Sequence, residues 1–348
     1  MHTPACPHRG GAPLARTARM LATLGVSLAL GGLATRAHAQ YADTLSIPPP
    51  GSASVGTGLT PPRVGGYIQA RMSAVQDIGF NAFLNRARAS VDGALPYRFA
   101  YRLLVEFQAS AGLRSPATVS LREAVARWSP SPWALTAGEF KTPFTREYLI
   151  PVPQLEMADL AVAVDSIAPK YDVGVMGEVA AGPYANVYVG VFNGEGANAM
   201  ANRDSVAIVI ARVTTRPLPQ LALGGSYSHD SADSLRWGVD GVITQSGAMV
   251  RAEYLTRHVR GRDTNRDDWG WYVMEGLRVL PRVQLYARQE DFQRPSYGLS
   301  RRMRSWQGAV NYDIAPGKVR LLLQFTRRVT GVKNARVDTA LAQVQVQL

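Results

Sequence analysis

One cysteine, Cys6, is present in 348 residues, so from residue 7 onward no disulfide and no thiolate ligand is available. Histidine is nearly as scarce: beyond residue 39 only His229 and His258 remain. No run in that region approaches the roughly 18 apolar residues that mark a membrane-crossing helix. A closed barrel of strands is then the only way for this part of the chain to enter a bilayer, because it alone pairs every backbone group without helices. The Gly-x-x-x-x-Gly-Lys loop that cradles phosphates is missing. Lysine is confined to Lys141, Lys170, Lys318 and Lys333. The basic charge therefore sits on arginine, which suits bidentate contact with phosphate or carboxylate and equally marks a genome rich in arginine codons.

The N-terminus reads as an export signal. Arg9, Arg16 and Arg19 precede an apolar run from Met20 to Leu33, and Ala37-His38-Ala39 forms a small-x-small cleavage site. Cleavage over 1–39 starts the mature chain near Gln40. Without the four arginines of that segment, 34 Lys and Arg face 26 Asp and Glu, and the net charge falls from +12 to +8. Residues 40–62 hold Pro48, Pro49, Pro50, Pro61 and Pro62 among Gly, Ser and Thr, the composition of a flexible leader. The patterned domain spans 63–348.

Within that domain, apolar side chains recur at every second position in short segments. Tyr97, Phe99, Tyr101, Leu103, Val105 and Phe107 share one face, and Arg98, Arg102 and Glu106 share the other. The preceding segment sets Arg86, Arg88, Ser90 and Asp92 against Ala87, Ala89 and Val91, with Gly93 to Pro96 as a tight hairpin. At the far end Ala340, Ala342, Val344, Val346 and Leu348 alternate with Leu341, Gln343, Gln345 and Gln347. Short turns marked by Pro or Gly, as at 129–132, 181–183, 214–219, 246–247, 280–281 and 315–317, alternate with longer polar connections at 73–80, 109–116, 143–170, 193–203, 229–234, 259–267, 291–300 and 330–336. The pattern predicts an all-β fold, a sixteen-stranded antiparallel transmembrane β-barrel with both termini on the short-turn, periplasmic side. A soluble sandwich would also have many short strands, but it gives no reason for strict alternation of long and short connections or for so much apolar face. Segments 119–128 and 269–279 alternate poorly, and their faces stay unassigned.

The stretch Gly138-Glu139-Phe140-Lys141-Thr142-Pro143-Phe144-Thr145-Arg146-Glu147 resembles the phosphate-selective porin O and P family, which carries Gly-x-Phe-Lys-x-Pro-Phe at the start of its third long loop. Phe83 to Arg88 with Gly93 is similar to that family's arginine-bearing second strand. Pro169 to Val175 with Gly177, and Tyr188 to Gly194, are similar to its sixth and seventh strands. The resemblance implies an outer-membrane barrel of sixteen strands, commonly a homotrimer, with the third loop folded toward the lumen to narrow a channel. Three positions depart from the family: Met157-Ala158-Asp159-Leu160-Ala161 replaces a Glu-Arg-Ser-like stretch, Lys170 stands where Arg is usual, and the chain ends on Leu348 where an aromatic residue is common. These departures bear on phosphate specificity more than on the porin reading.

A charge on the lipid face at mid-membrane costs about 2–4 kcal/mol, which directs Arg88, Arg98, Arg102, Arg251 and Arg288 into the lumen. With Arg86 they form the expected anion pathway, and Lys141, Arg146 and Lys170 are the cations expected at the constriction loop, with Glu139 and Glu147 as counter-charges. The same arginines would also serve by pairing with Glu106, Asp92 and Glu123 to stiffen a wet interior. The expected function is a passive, anion-preferring outer-membrane channel with small inorganic anions such as phosphate and membrane lipid as partners. Neither an enzyme, a cofactor, a metal nor nucleic acid is expected. Alternatives are a barrel with a closed lumen and an adhesive or structural role, or a barrel hydrolase. Ser228-His229-Asp230 are adjacent and would alternate sides of an extended chain, which argues against a triad, and Asp263 to Asp268 lacks the glycine of a calcium loop and its distal Glu.

Overall fold

The computed structural model describes residues 61–108, 118–199, 201–203, 205–230, 234–260, 265–296, 299–331 and 335–348. The export segment 1–39 and most of the leader 40–62 lie outside the described residues, as do the expected loop 109–116 and the first two residues, 263 and 264, of the calcium-like stretch. Sixteen strands follow one another around the wall: β1 (Arg63–Val75), β2 (Gly79–Leu95), β3 (Phe99–Gln108), β4 (Thr118–Trp128), β5 (Trp133–Lys141), β6 (Tyr171–Ala181), β7 (Ala185–Phe192), β8 (Ile208–Leu218), β9 (Leu221–Asp230), β10 (Ser234–Gln245), β11 (Ala248–Arg260), β12 (Asn265–Leu280), β13 (Val283–Ser296), β14 (Leu299–Ala315), β15 (Val319–Thr330) and β16 (Ala335–Gln347). Every neighbour is antiparallel, and β1 closes on β16 from Tyr67↔Gln347 to Val75↔Thr339. Closure leaves no unpaired edge, which a strand sheet in lipid requires.

Alternation sets the faces. On β15, Leu321, Leu323 and Phe325 point outward while Leu322 and Gln324 are buried inside. Trp128, Trp133, Trp237 and Trp306 are exposed on the outside, where aromatic girdles meet the membrane interfaces. The expected loop at 73–80 is corrected: strands continue to Val75 and resume at Gly79, so the connection is a tight turn with Asp77 and Gly79 at positive φ. Strands β11 to β16 likewise run into stretches read as loops, because a strand that leaves the membrane keeps its ladder while its side chains turn polar.

Two bulges explain irregular patterns. On β4 the register jumps between Leu104↔Glu123 and Val105↔Leu121, so Arg122 is the extra residue and both it and Glu123 reach the lumen. On β2 the jump between Gln69↔Arg86 and Ala70↔Leu84 does the same for Asn85 and Arg86. A bulge re-aims side chains in this way, and it is why 119–128 fails to alternate. Segment 269–279 alternates faithfully in space, but its inward residues include Tyr272 and Met274, fully buried in an apolar core.

Gly138 of β5 has φ +124°, and a Cβ there would lie 1.9 Å from the carbonyl oxygen of Ala124. Gly138→Ala is expected to destabilise the β4–β5 pairing by about 1–3 kcal/mol, read as a lower urea midpoint for loss of the folded band in heat-modifiable gel mobility. Gly225→Ala, where nothing lies within 4 Å, should leave that midpoint unchanged.

Candidate pore and its inward loop

Between β5 and β6 the chain leaves the wall for residues 142–170, with two short helices, α1 (Arg146–Leu149) and α2 (Val162–Ile167). Most of this segment has no regular structure of its own, yet its backbone is not left unpaired. Luminal side chains supply the partners. Arg212 of β8 donates to the Phe144 carbonyl at 3.1 Å, Arg71 of β1 to that of Ala158 at 2.8 Å, and Arg288 of β13 to that of Asp159 at 3.0 Å. Asn311 of β14 donates to the Glu156 carbonyl and Gln345 of β16 to that of Pro153. Wall acceptors take the N–H groups: Gln324 of β15 from Ala158, Glu253 of β11 from Glu147, and Glu290 of β13 from Val162. These partners lie on strands from opposite sides of the barrel, so the segment crosses the lumen.

Buried ion pairs fix it further. Arg251 holds Glu156 through two hydrogen bonds of 3.0 and 2.9 Å, Arg288 holds Glu147 at 3.0 Å, and Arg146 and Arg212 converge on Asp240 at 2.7 and 2.6 Å. Tyr272 bridges, accepting from Arg251 and donating to Glu253. Around this network Phe144, Met157, Ala161, Val164 and Ile167 of the loop pack on Phe140, Phe192, Ile210, Leu255 and Met274 of the wall. The loop is therefore packed against β5 to β13 and bonded onward to β14, β15, β16 and Arg71 of β1, and the free side of the lumen lies toward β2 to β4.

That side is lined by arginines and carboxylates in a ladder. Counted from the outer end, Arg86 bonds Gln69 at 3.1 Å, Arg88 and Arg122 share Glu106, and Arg102 sits 2.9 Å from Glu123 and 3.5 Å from Asp92. Four arginines face three carboxylates, and Arg86 has no carboxylate within ion-pair distance among the described residues. Between this wall and Pro151 to Gln154 of the loop lies a cavity of about 300 Å³ reached by Arg88, Arg102 and Tyr67.

The sequence-predicted residues thus separate into groups. Arg86, Arg88 and Arg102 come together on the open wall. Arg251, Arg288, Arg146 and Lys141 are each at most 5% exposed, and they clamp the loop; Lys141 donates to the carbonyls of Tyr148 and Ile150 and also borders the cavity. Lys170 is exposed at the base of the loop and pairs with Asp165 at 2.7 Å. Arg98 is a correction: it lies at positive φ in a 3-10 turn, Pro96–Arg98, exposed on the short-turn side, because Pro96 delays β3 until Phe99. Glu139 points outside the barrel, where Asn198 of the 193–207 connection caps it and also bonds the backbone of Leu121. Sequence reasoning passed over Arg71, Arg122, Arg212 and Asp240; Arg122 is hidden by its bulge, and the inward parity of Arg212 and Asp240 beside apolar neighbours was the available signal. Ser228 faces inward and is fully buried, with Val209 and His229 paired on the other face.

The sequence profile of the phosphate-selective porin O and P family matches residues 73–230. The likeness first seen around Gly138 to Glu147 holds over that span. A search of curated proteins gives no match. Among solved structures, a loop L8 deletion mutant of OmpT, an outer membrane protein of Vibrio cholerae, is similar at 13% identity with a TM-score of 0.66, covering 83% of this chain and 99% of that one. The outer membrane channel DcaP of Acinetobacter baumannii is 10% identical, with a TM-score of 0.63 over 82% and 97% of the two chains. An anion-selective porin from Comamonas acidovorans is 8% identical, with a TM-score of 0.61 over 83% and 99%. This chain has the closed sixteen-stranded barrel fold that these outer-membrane proteins share.

Removing one partner of a buried ion pair costs about 3–5 kcal/mol because the other charge is left uncompensated. Arg251→Ala should therefore release the Glu156 end of the barrel's inward loop. The expected readouts are new trypsin cleavage at Arg146 and a larger single-channel conductance, while Arg127→Ala, on the wall beside Glu178, changes neither.

Proposed function

We propose that this barrel is a passive channel with a preference for small anions, which pass between the arginine wall of β2 to β4 and the inward loop. The observation that carries the reading is Arg86, a luminal cation without a carboxylate among the described residues, at the outer end of a ladder whose lower arginines are shared among Glu106, Glu123 and Asp92. A narrow wet passage with low-dielectric walls focuses such an excess charge and raises the local anion concentration. Because the remaining arginines are held by carboxylates, no site binds an anion so tightly that release fails. Phosphate fits the chemistry of guanidinium groups presented side by side, and the neighbouring Comamonas barrel is an anion-selective porin. The export segment is removed before the barrel inserts.

For assembly we infer a homotrimer, as one OmpT neighbour is a trimer form. The outward residues Ala87 and Ala89 of β2 and Ala124, Ala126 and Ala137 of β4 and β5 flank the larger Leu103, Val105 and Phe107 of β3, an apolar strip on which a second copy packs. A second functional reading, a closed structural barrel, draws on the same loop, whose bonds reach both sides of the lumen.

Planar-bilayer recording separates the two. Under a potassium chloride gradient the reversal potential should lie on the anion side, and Arg86→Glu should lower the anion-to-cation permeability ratio by about threefold or more, whereas Arg98→Glu on the turn should leave it near the original, since fixed charge acts within roughly one Debye length. Absence of conductance supports the closed barrel, and a cation-side reversal potential overturns anion preference. Inhibition of the chloride current by phosphate tests the substrate.

A further inference from the structure

The outward face of the last three strands changes chemistry with height. Register stacks its side chains in rows. From the short-turn end these are Tyr312, Leu321 and Val344, then Val310, Leu323 and Ala342, then Gly308, Phe325 and Ala340. The upper two apolar rows continue around β1 and β2 through Met72, Ala74 and Phe80. Gly308, Ala340 and Ala74 are small, and Phe325 and Phe80 are large, so the surface sinks into an apolar groove of about 540 Å³. Directly above it the rows become Trp306, Arg327 and Asp338, then Arg304, Val329 and Arg336, with Arg302 beyond and paired to Asp291 of β13. Arg327 and Arg336 share Asp338 at 3.0 and 2.8 Å. Four arginines face two carboxylates, and Arg304 has neither a hydrogen bond nor an ion pair among the described residues. On the outward face of β10 to β12, toward the same end, the barrel instead presents Trp237, Tyr254, Trp269 and Trp271.

We propose that this face binds a phosphate-bearing lipid of the outer leaflet, with the phosphate on Arg304 and Arg336 and an acyl chain in the groove below. A cationic cluster at the interface attracts anionic headgroups, arginine adds bidentate hydrogen bonds to phosphate oxygens, and the groove sits where the chain of such a lipid must run. The order of the two chemistries, cations toward the outside and groove toward the bilayer centre, is that of a lipid standing in its leaflet. Nothing in the channel reading requires it.

Native mass spectrometry of the detergent-extracted barrel tests this with diphosphorylated lipid A and the same lipid stripped of its phosphates. The expected result is retention of the phosphorylated form by the original chain and about tenfold weaker binding by Arg304→Gln/Arg336→Gln, with Arg260→Gln binding as the original. Arg304→Lys/Arg336→Lys, which keeps the charge, should recover part of the loss, and heat-modifiable mobility confirms that each variant is folded. Equal retention by the Gln variant, or equal binding of the stripped lipid, overturns the proposal. So does a disulfide-linked dimer formed in the membrane by Cys6→Ser/Ala340→Cys, which would show a second copy covering the groove.

Discussion

A backbone N–H or C=O withdrawn from bulk water must find a partner, and this protein meets that demand in two ways. The wall meets it by closure: sixteen strands pair in a ring, with β1 against β16. The inward loop cannot, since it has two short helices, one 3-10 turn at Val152–Gln154 and no strand of its own. Its carbonyls and N–H groups are taken instead by arginine, asparagine, glutamine and glutamate side chains on the inner wall. A polar lumen is therefore needed to fold the loop before it has any role in transport. Because those partners occupy β8 and β10 to β16 as well as β1, the loop has a single way to lie, and the passage is left on the side that does not hold it.

The two requirements explain why apolar residues appear inside a porin-like barrel. Phe140, Phe192, Ile210, Tyr272 and Met274 point inward and would be misplaced in an open aqueous channel; under the loop they form its core with Phe144, Val164 and Ile167. Burial there raises the strength of the Arg251–Glu156 and Arg288–Glu147 pairs while making each charge dependent on its partner. Hydrophobic packing and ion pairing thus act at the same place, one excluding water and the other fixing register.

Much of the architecture was legible because membrane strands repeat every two residues and short turns carry Pro and Gly. Connections were less legible. Residues 73–80 read as a loop since polarity rises there, yet the ladder continues, and polarity marks where a strand leaves lipid, not where it ends. Arg98 kept the alternation of β3 in sequence but fell to the turn set by Pro96. Arg122 was invisible for the opposite reason, as a bulge moved it into the lumen against its parity. Arg251 and Arg288 were assigned the correct side of the wall, but depth under a loop depends on contacts between residues more than a hundred positions apart, and no local pattern records that.

The same residue type consequently does three kinds of work, and its position in the pleat, not its abundance, decides which. Inward arginines beneath the loop are held by carboxylates, carbonyls and the Tyr272 hydroxyl. Inward arginines on β2 to β4 share carboxylates incompletely, so Arg86, bonded to Gln69, has no carboxylate partner among the described residues. Outward arginines on β14 to β16 sit above the apolar band, where the cost of a lipid-facing charge falls to about 0–1 kcal/mol. A high arginine content from codon usage alone would scatter over exposed loops as readily as over these rows. The outward Arg302, Arg304, Arg327 and Arg336 stand just above Gly308 and Phe325, and most luminal ones meet carboxylates or the loop's carbonyls, a placement that follows from where membrane and loop tolerate a guanidinium group.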